Sequence, residues 1–338
     1  MFVRWRKLDD IARQLVWPLY GRFTGLMFVG SCFGAIAWLC NMQTFAFAFT
    51  ANNLRIYTTN VTNSTQVQIQ TAYAQQSAWQ AAFLVFYAMD FLFLSSAQLL
   101  ILHRMLGFIG HVTTSLNIFQ QSVDVARMVM TIVVVGNVIG LLSNVVAAAF
   151  SARASALNLE AAAAWEANPT NTTKFVDLVT QYGAQYQNLA RAQSVQQFSE
   201  VLVLLVIILA FAASGALAIK RLRASAKATG SAGTRLQRKI LGTVAVVFCS
   251  FLLRTVFSIM TAVSNALQNN EADCPAGLCG TCYNVYTNMQ VWFSFTPEFQ
   301  LVVVLISSPM ASLVALWGMT SDRAKRLLAT RATRSDKS

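Results

Sequence analysis

The sequence predicts an all-α polytopic membrane protein: a bundle of six transmembrane helices with both termini in the cytosol. Three observations lead there. The 338-residue chain is 56% hydrophobic and only 11% charged, whereas a soluble domain carries about 25% charged residues. Its apolar residues gather into runs long enough to cross a hydrocarbon core about 30 Å thick. All but five of the 25 Lys and Arg lie in residues 1–22, in the loop after the second run, in 220–239 or in the C-terminal tail. The exceptions are Arg55, Arg153, Lys174, Arg191 and Arg254. Basic residues beside a membrane helix stay cytosolic, because translocating them is unfavourable. The net charge of +12 therefore has the distribution of an inserted membrane protein, and nucleic acid is not an expected partner.

Residues 220–239 fix the topology. They carry Lys or Arg at seven positions and no acid between two apolar runs, which pins the ends of the fourth and fifth spans to the cytosol. The other spans follow by alternation. Residues 1–22 mix basic residues with Trp5, Trp17 and Tyr20 and read as a cytosolic interfacial segment, with the aromatics at headgroup level. The transmembrane domain covers 23–320, with spans at about 23–47, 78–102, 128–150, 198–219, 240–263 and 292–319. Residues 321–338 form a basic cytosolic tail, expected to be disordered.

The first span contains Gly30-x-x-x-Gly34 and the third Gly136-x-x-x-Gly140, spacing that lets helices approach closely. In the third span Asn137, Gly140 and Asn144 share one face, which must point into the protein because amides in lipid need partners. Between the first two spans, residues 52–76 read as a polar outer loop with sequons at Asn60 and Asn63; a third sequon lies at Asn171. All three are candidates for N-glycosylation. Residues 151–198 are rich in Ala, Gln and Glu, broken at Asn168-Pro169, so the third and fourth helices are expected to extend outward past the bilayer. In the sixth span Ser307-Ser308-Pro309 marks a helix kink.

Two ionisable residues lie deep in spans. Asp90 is about twelve residues into the second and Arg254 about fourteen into the fifth, near mid-bilayer at roughly 1.5 Å per residue. A lone charge there costs at least about 2.5–3.5 kcal/mol on insertion scales, so a partner is expected. One reading pairs Asp90 with Arg254 as an intramembrane charge pair that forms a switch or a ligand-charge site. The other makes it a structural ion pair, or lets Arg254 snorkel outward while Ser or Asn satisfies Asp90. Ser250 and Ser258 continue the Arg254 face and, with Asn137 and Asn144, make up the expected polar bundle interior.

Cys274, Cys279 and Cys282 cluster in the last outer loop. No His accompanies them and structural zinc takes four ligands, so one disulfide within the loop is expected. Cys40 is the candidate partner of the third thiol. No metal or cofactor is expected. Phosphate-cradling glycine loops, HExxH, GxSxG and TVGYG sequences are all missing, which argues against an enzyme or a potassium-type pore.

The stretch Arg238-Lys239-Ile240-Leu241, Val246-Val247-Phe248-Cys249 and Phe251-Leu252-Leu253-Arg254 resembles the sixth helix of the plant tobamovirus-multiplication family. Those are seven-helix, receptor-like membrane proteins, and the resemblance implies a sensor or a scaffold of membrane complexes. The expected function is thus a non-enzymatic receptor-like or scaffold protein of the plasma membrane or an endomembrane, with a glycosylated, disulfide-bonded outer face. Its expected partners are the lipid bilayer, anionic lipids at the cytosolic face, and protein subunits or further copies of itself. A small transporter or channel, and a structural component assembling through its small-residue faces, are the alternatives.

Overall fold

The computed structural model describes residues 10–57, 62–111, 116–169, 172–229, 242, 245–246 and 248–264. Every regular element among them is a helix. Four long helices follow one another: α1 (Asp10–Tyr57), α2 (Asn63–His111), α3 (Leu116–Ala167) and α4 (Thr172–Thr229). A shorter apolar helix, α5 (Phe248–Ser264), follows. Helices α1 to α4 are each long and apolar enough to cross a membrane, which gives the chain the make-up of an integral membrane protein. The expected fifth span is represented by α5. The sixth span, Pro309, the loop with Cys274, Cys279 and Cys282, and the basic tail lie outside the described residues, as do Asn60 and Asn171.

The helices run up and down. α1 packs on α2, α2 on α3 and α3 on α4, and α2 also touches α4. The α1–α2 and α3–α4 connections therefore share one end of the bundle, the turn end. The other end is the one from which the basic 220–239 stretch departs.

The helices overrun the expected spans. With 48 residues in α1 and 58 in α4, they reach about 70–85 Å at 1.5 Å per residue, more than twice the bilayer core. α1 begins at Asp10, so much of the expected interfacial segment is continuous with the first span. The expected loop 52–76 is mostly helix, because Thr62 caps α2 by accepting the Thr65 amide at 3.3 Å. Asn63, whose sequon lies in that first turn, is exposed. At Asn168-Pro169 the chain turns between α3 and α4, as proline disfavours helix in the residue before it.

Each long helix buries a seam with a seven-residue repeat. On α1 the seam is Phe23, Gly30, Ala37, Thr44 and Ala51; on α2 it is Gln70, Ser77, Leu84, Phe91 and Gln98. On α3 two interleaved rows are buried: Val133, Gly140, Ala147, Ala154 and Ala161, and Asn137, Asn144, Ser151 and Asn158. α4 buries Leu189, Gln196 and Val203 with Glu200, Ile207 and Ser214. A seven-residue repeat is the period of left-handed, knobs-into-holes packing. Small and hydroxyl residues in these seams let backbones approach and cross-bond. Ser151 Oγ donates to the Ser77 carbonyl at 2.8 Å, Ser155 Oγ to Ala74 at 2.7 Å, and Ser199 Oγ to Gly136 at 2.7 Å. The opposite faces carry exposed Phe28, Leu39, Val138, Leu142, Leu202, Leu209 and Val256, as a lipid-facing surface requires.

The glycine pairs sit inside these contacts. A Cβ on Gly30 would lie 3.2 Å from Phe93 Cβ, and one on Gly136 would run into Val203 Cγ2. Phe33 of α1 stacks on Phe93 and Phe86 of α2 at centroid distances of 5.7 and 6.1 Å. Cys32 and Cys249 are on the bundle surface, and Cys40 is buried as a free thiol, not a disulfide partner.

Candidate functional site

The polar centre of the bundle is assembled by three helices. α4 contributes Gln196 and Glu200, one turn apart on its buried seam. α2 contributes Tyr87, Asp90 and Phe91, and α5 contributes Arg254 and Ser258, also one turn apart. Glu200 is the hub. Arg254 Nε donates to its Oε1 at 3.1 Å, and both side chains are only 1% exposed. The Tyr87 hydroxyl lies 3.0 and 2.8 Å from the two carboxylate oxygens, donating one proton across the pair. Gln196 Nε2 donates to Oε2 at 3.0 Å and Ser258 Oγ to Oε1 at 3.3 Å. The carboxylate therefore carries its charge inside the protein with every oxygen met by donors. The Arg254 guanidinium also lies over the Phe91 ring, 5.2 Å from its centroid, a favourable cation–π placement.

Arg254 is thus bonded to Glu200, an acid left out of the sequence reading that paired it with Asp90. The reason is register. With the fourth span taken to begin near 198, Glu200 falls at headgroup depth, where an acid needs no partner. As one continuous helix, α4 carries Glu200 level with Tyr87 and Arg254 instead. Asp90 is 2% exposed and sits one turn past Tyr87 in the same cluster. Among the described residues, no ion pair or hydrogen bond to its carboxylate occurs.

Asp90 and Glu200 line the inner part of a cavity of about 370 Å³. Its walls reach toward the turn end through Asn41, Thr44, Gln80, Gln193 and Gln197, and they carry several aromatic rings, Trp38, Phe83 and Tyr186 among them. On the side toward the basic stretch an apolar cluster lies next to the ionic one, with Ser95, Gln98 and Ser214 buried on the same side. Phe23, Met27, Leu94, Val133, Val203, Leu204, Ile207 and Phe251 form one buried cluster there. Asn137, Asn144, Ser250 and Ser258 are all buried in the interior, and Ser258 bonds to Glu200. Asn137 and Asn144 belong to the α3 seam, where their Oδ1 atoms lack hydrogen-bond partners.

Glu200, Gln196 and Tyr87 were not singled out by residue type or spacing. The available signal was the seam: on α4 the seven-residue row runs Gln193, Glu200, Ile207, Ser214, which places the carboxylate on the inward face. The chain matches no family model, no curated protein and no solved structure.

Proposed function

We propose that the chain is a non-enzymatic, receptor-like membrane protein that takes a small molecule into the turn-end cavity, with its basic stretches facing the cytosol. The observation that carries this reading is the shape of the polar interior. A cavity lined by amides, hydroxyls and aromatic rings ends on a buried ionic cluster, and an apolar layer lies beyond it. Such a pocket suits holding a small ligand, and the apolar cluster among the described residues favours holding it over passing it on. The ionic cluster joins α2, α4 and α5, so a ligand touching it bears on three helices at once, as a sensor requires. The likeness of residues 238–254 to the receptor-like tobamovirus-multiplication family agrees with this reading.

A small transporter is the second reading, favoured by the ionisable side chains Asp90, Glu200 and Arg254 clustered in the bundle interior. Reconstitution into proteoliposomes separates the two. A compound that raises the melting temperature of the protein and is not accumulated supports the receptor reading. Accumulation of that compound, lost when Gln80→Phe narrows the cavity, contradicts it.

A further inference from the structure

We infer that the turn-end cavity binds a small organic cation, an aryl-alkyl ammonium compound by class, with Asp90 as its counter-charge. This rests on the reading of the cavity as a small-molecule site. The charges at its inner end do not balance. Asp90 and Glu200 both line it, and among the described residues Arg254 is the one base joined to the cluster, held by Glu200 at 3.1 Å. Glu200 also accepts from Tyr87, Gln196 and Ser258. One positive charge against two carboxylates leaves the cluster one short. Asp90, 2% exposed, has no ion pair or hydrogen bond among the described residues. The rest of the chain adds no Lys or Arg at this depth from the C-terminal side, since none occurs between Arg254 and Arg323.

Two buried carboxylates that share one arginine are costly in a membrane interior, and a cation entering the cavity relieves that cost. The walls suit an organic cation. Trp38, Phe45, Phe83, Tyr87, Tyr186 and Phe257 line the cavity, and aromatic faces attract ammonium groups most strongly where water is excluded. A volume of about 370 Å³ lies near the small end of ligand pockets, roughly 300–1,000 Å³. That accommodates an aromatic ring with a short amine chain and is far larger than a metal ion needs. No cluster of three His, Cys, Asp or Glu suited to a metal occurs among the described residues.

The test uses the full-length protein in lipid nanodiscs, with binding followed by Trp fluorescence and thermal shift. The compounds are choline, phenethylamine and tryptamine, their neutral isosteres 3,3-dimethylbutanol, 2-phenylethanol and tryptophol, the anion indole-3-acetate, and sodium chloride. At least one ammonium compound should bind at least tenfold more tightly than its neutral isostere. Asp90→Asn should weaken it by about 10–100-fold, the size of a lost hydrogen bond to a charged group, and Gln80→Phe should block it. Equal binding of the neutral isostere, or unchanged ammonium binding by Asp90→Asn, overturns the inference. So does a sodium-dependent shift that needs Asp90 without any ammonium binding, which would make this an inorganic-cation site. Binding of only neutral or anionic compounds, blocked by Gln80→Phe, sinks the cation and leaves the small-molecule cavity standing. If no compound binds, both readings fall.

Discussion

Arg254 of α5 and Glu200 of α4 meet at 3.1 Å with both side chains sealed from solvent, and this contact ties the fifth helix to the long fourth one. Glu200→Gln should cost about 1–3 kcal/mol, because it removes the charged acceptor that Arg254, Tyr87, Gln196 and Ser258 share. The double variant Glu200→Leu with Arg254→Met should recover much of that loss, since well-packed apolar residues often replace a buried pair without penalty. Denaturation of both single variants and the double variant in detergent measures the coupling. Strictly additive losses would show that the two residues do not act together.

Asp90 should behave in the opposite way. Pairing with Arg254 would make Asp90→Asn destabilising, but Arg254 is engaged by Glu200 and Asp90 has no bonded partner among the described residues. Asp90→Asn keeps the shape and removes the second of two buried carboxylates that share one arginine, so the melting temperature should hold or rise. A fall comparable to that of Glu200→Gln would assign Asp90 a structural bond.

Glycine positions in the seams separate close packing from open surface. A Cβ at Gly136 would run into Val203 Cγ2, whereas at Gly25 nothing lies within 4 Å. Gly136→Ala should therefore destabilise by about 1–3 kcal/mol through overpacking, and Val203→Ala should restore part of it. Gly25→Ala should be neutral or stabilising by up to about 1 kcal/mol, from helix propensity. Melting temperatures of the three variants in one detergent decide the matter.

The orientation is open to a direct check. With the basic stretches in the cytosol, the turn end faces the secretory lumen, and Asn63, exposed in the first turn of α2, is an available acceptor. Protein from a eukaryotic secretory host should lose mass on glycosidase treatment, and Asn63→Gln with Asn60→Gln and Asn171→Gln should not. An occupied sequon engineered into residues 220–239 would reverse the orientation.

Composition and charge placement were enough to predict long membrane helices, and the Ala- and Gln-rich residues after 151 were enough to predict helix beyond the bilayer. The Gly136–Gly140 spacing likewise pointed to the face that meets Ser199 and Val203. What escaped was register between helices. An isolated sequence places Asp90 and Arg254 by their depth in separate spans, and depth cannot say which acid an arginine reaches. Glu200 looked peripheral because its helix was cut at the hydrocarbon boundary, while the true helix runs on from Thr172. The seven-residue seams carry that information, but their small and polar residues (Asn137, Asn144, Ser151 and Asn158) do not look like a core to a reading based on hydrophobic periodicity. In a membrane the usual pattern is inverted: the apolar residues face lipid, and the polar and small ones pack inside.

On the proposed function, the cavity admits solute from the turn end and stops at the Glu200–Arg254 cluster. Cysteine accessibility tests it most directly, in a background with Cys32, Cys40 and Cys249 changed to Ala and the Cys274, Cys279 and Cys282 loop left intact and blocked beforehand. Single substitutions Gln80→Cys, Gln193→Cys, Leu94→Cys and Ile207→Cys are exposed to a charged thiol reagent from each side of sealed vesicles. Labelling of Gln80→Cys and Gln193→Cys from the turn side alone, with Leu94→Cys and Ile207→Cys unreactive from both sides, is the expected result. Reaction of Leu94→Cys or Ile207→Cys with reagent from the basic side would reveal a water path through the apolar layer and contradict it.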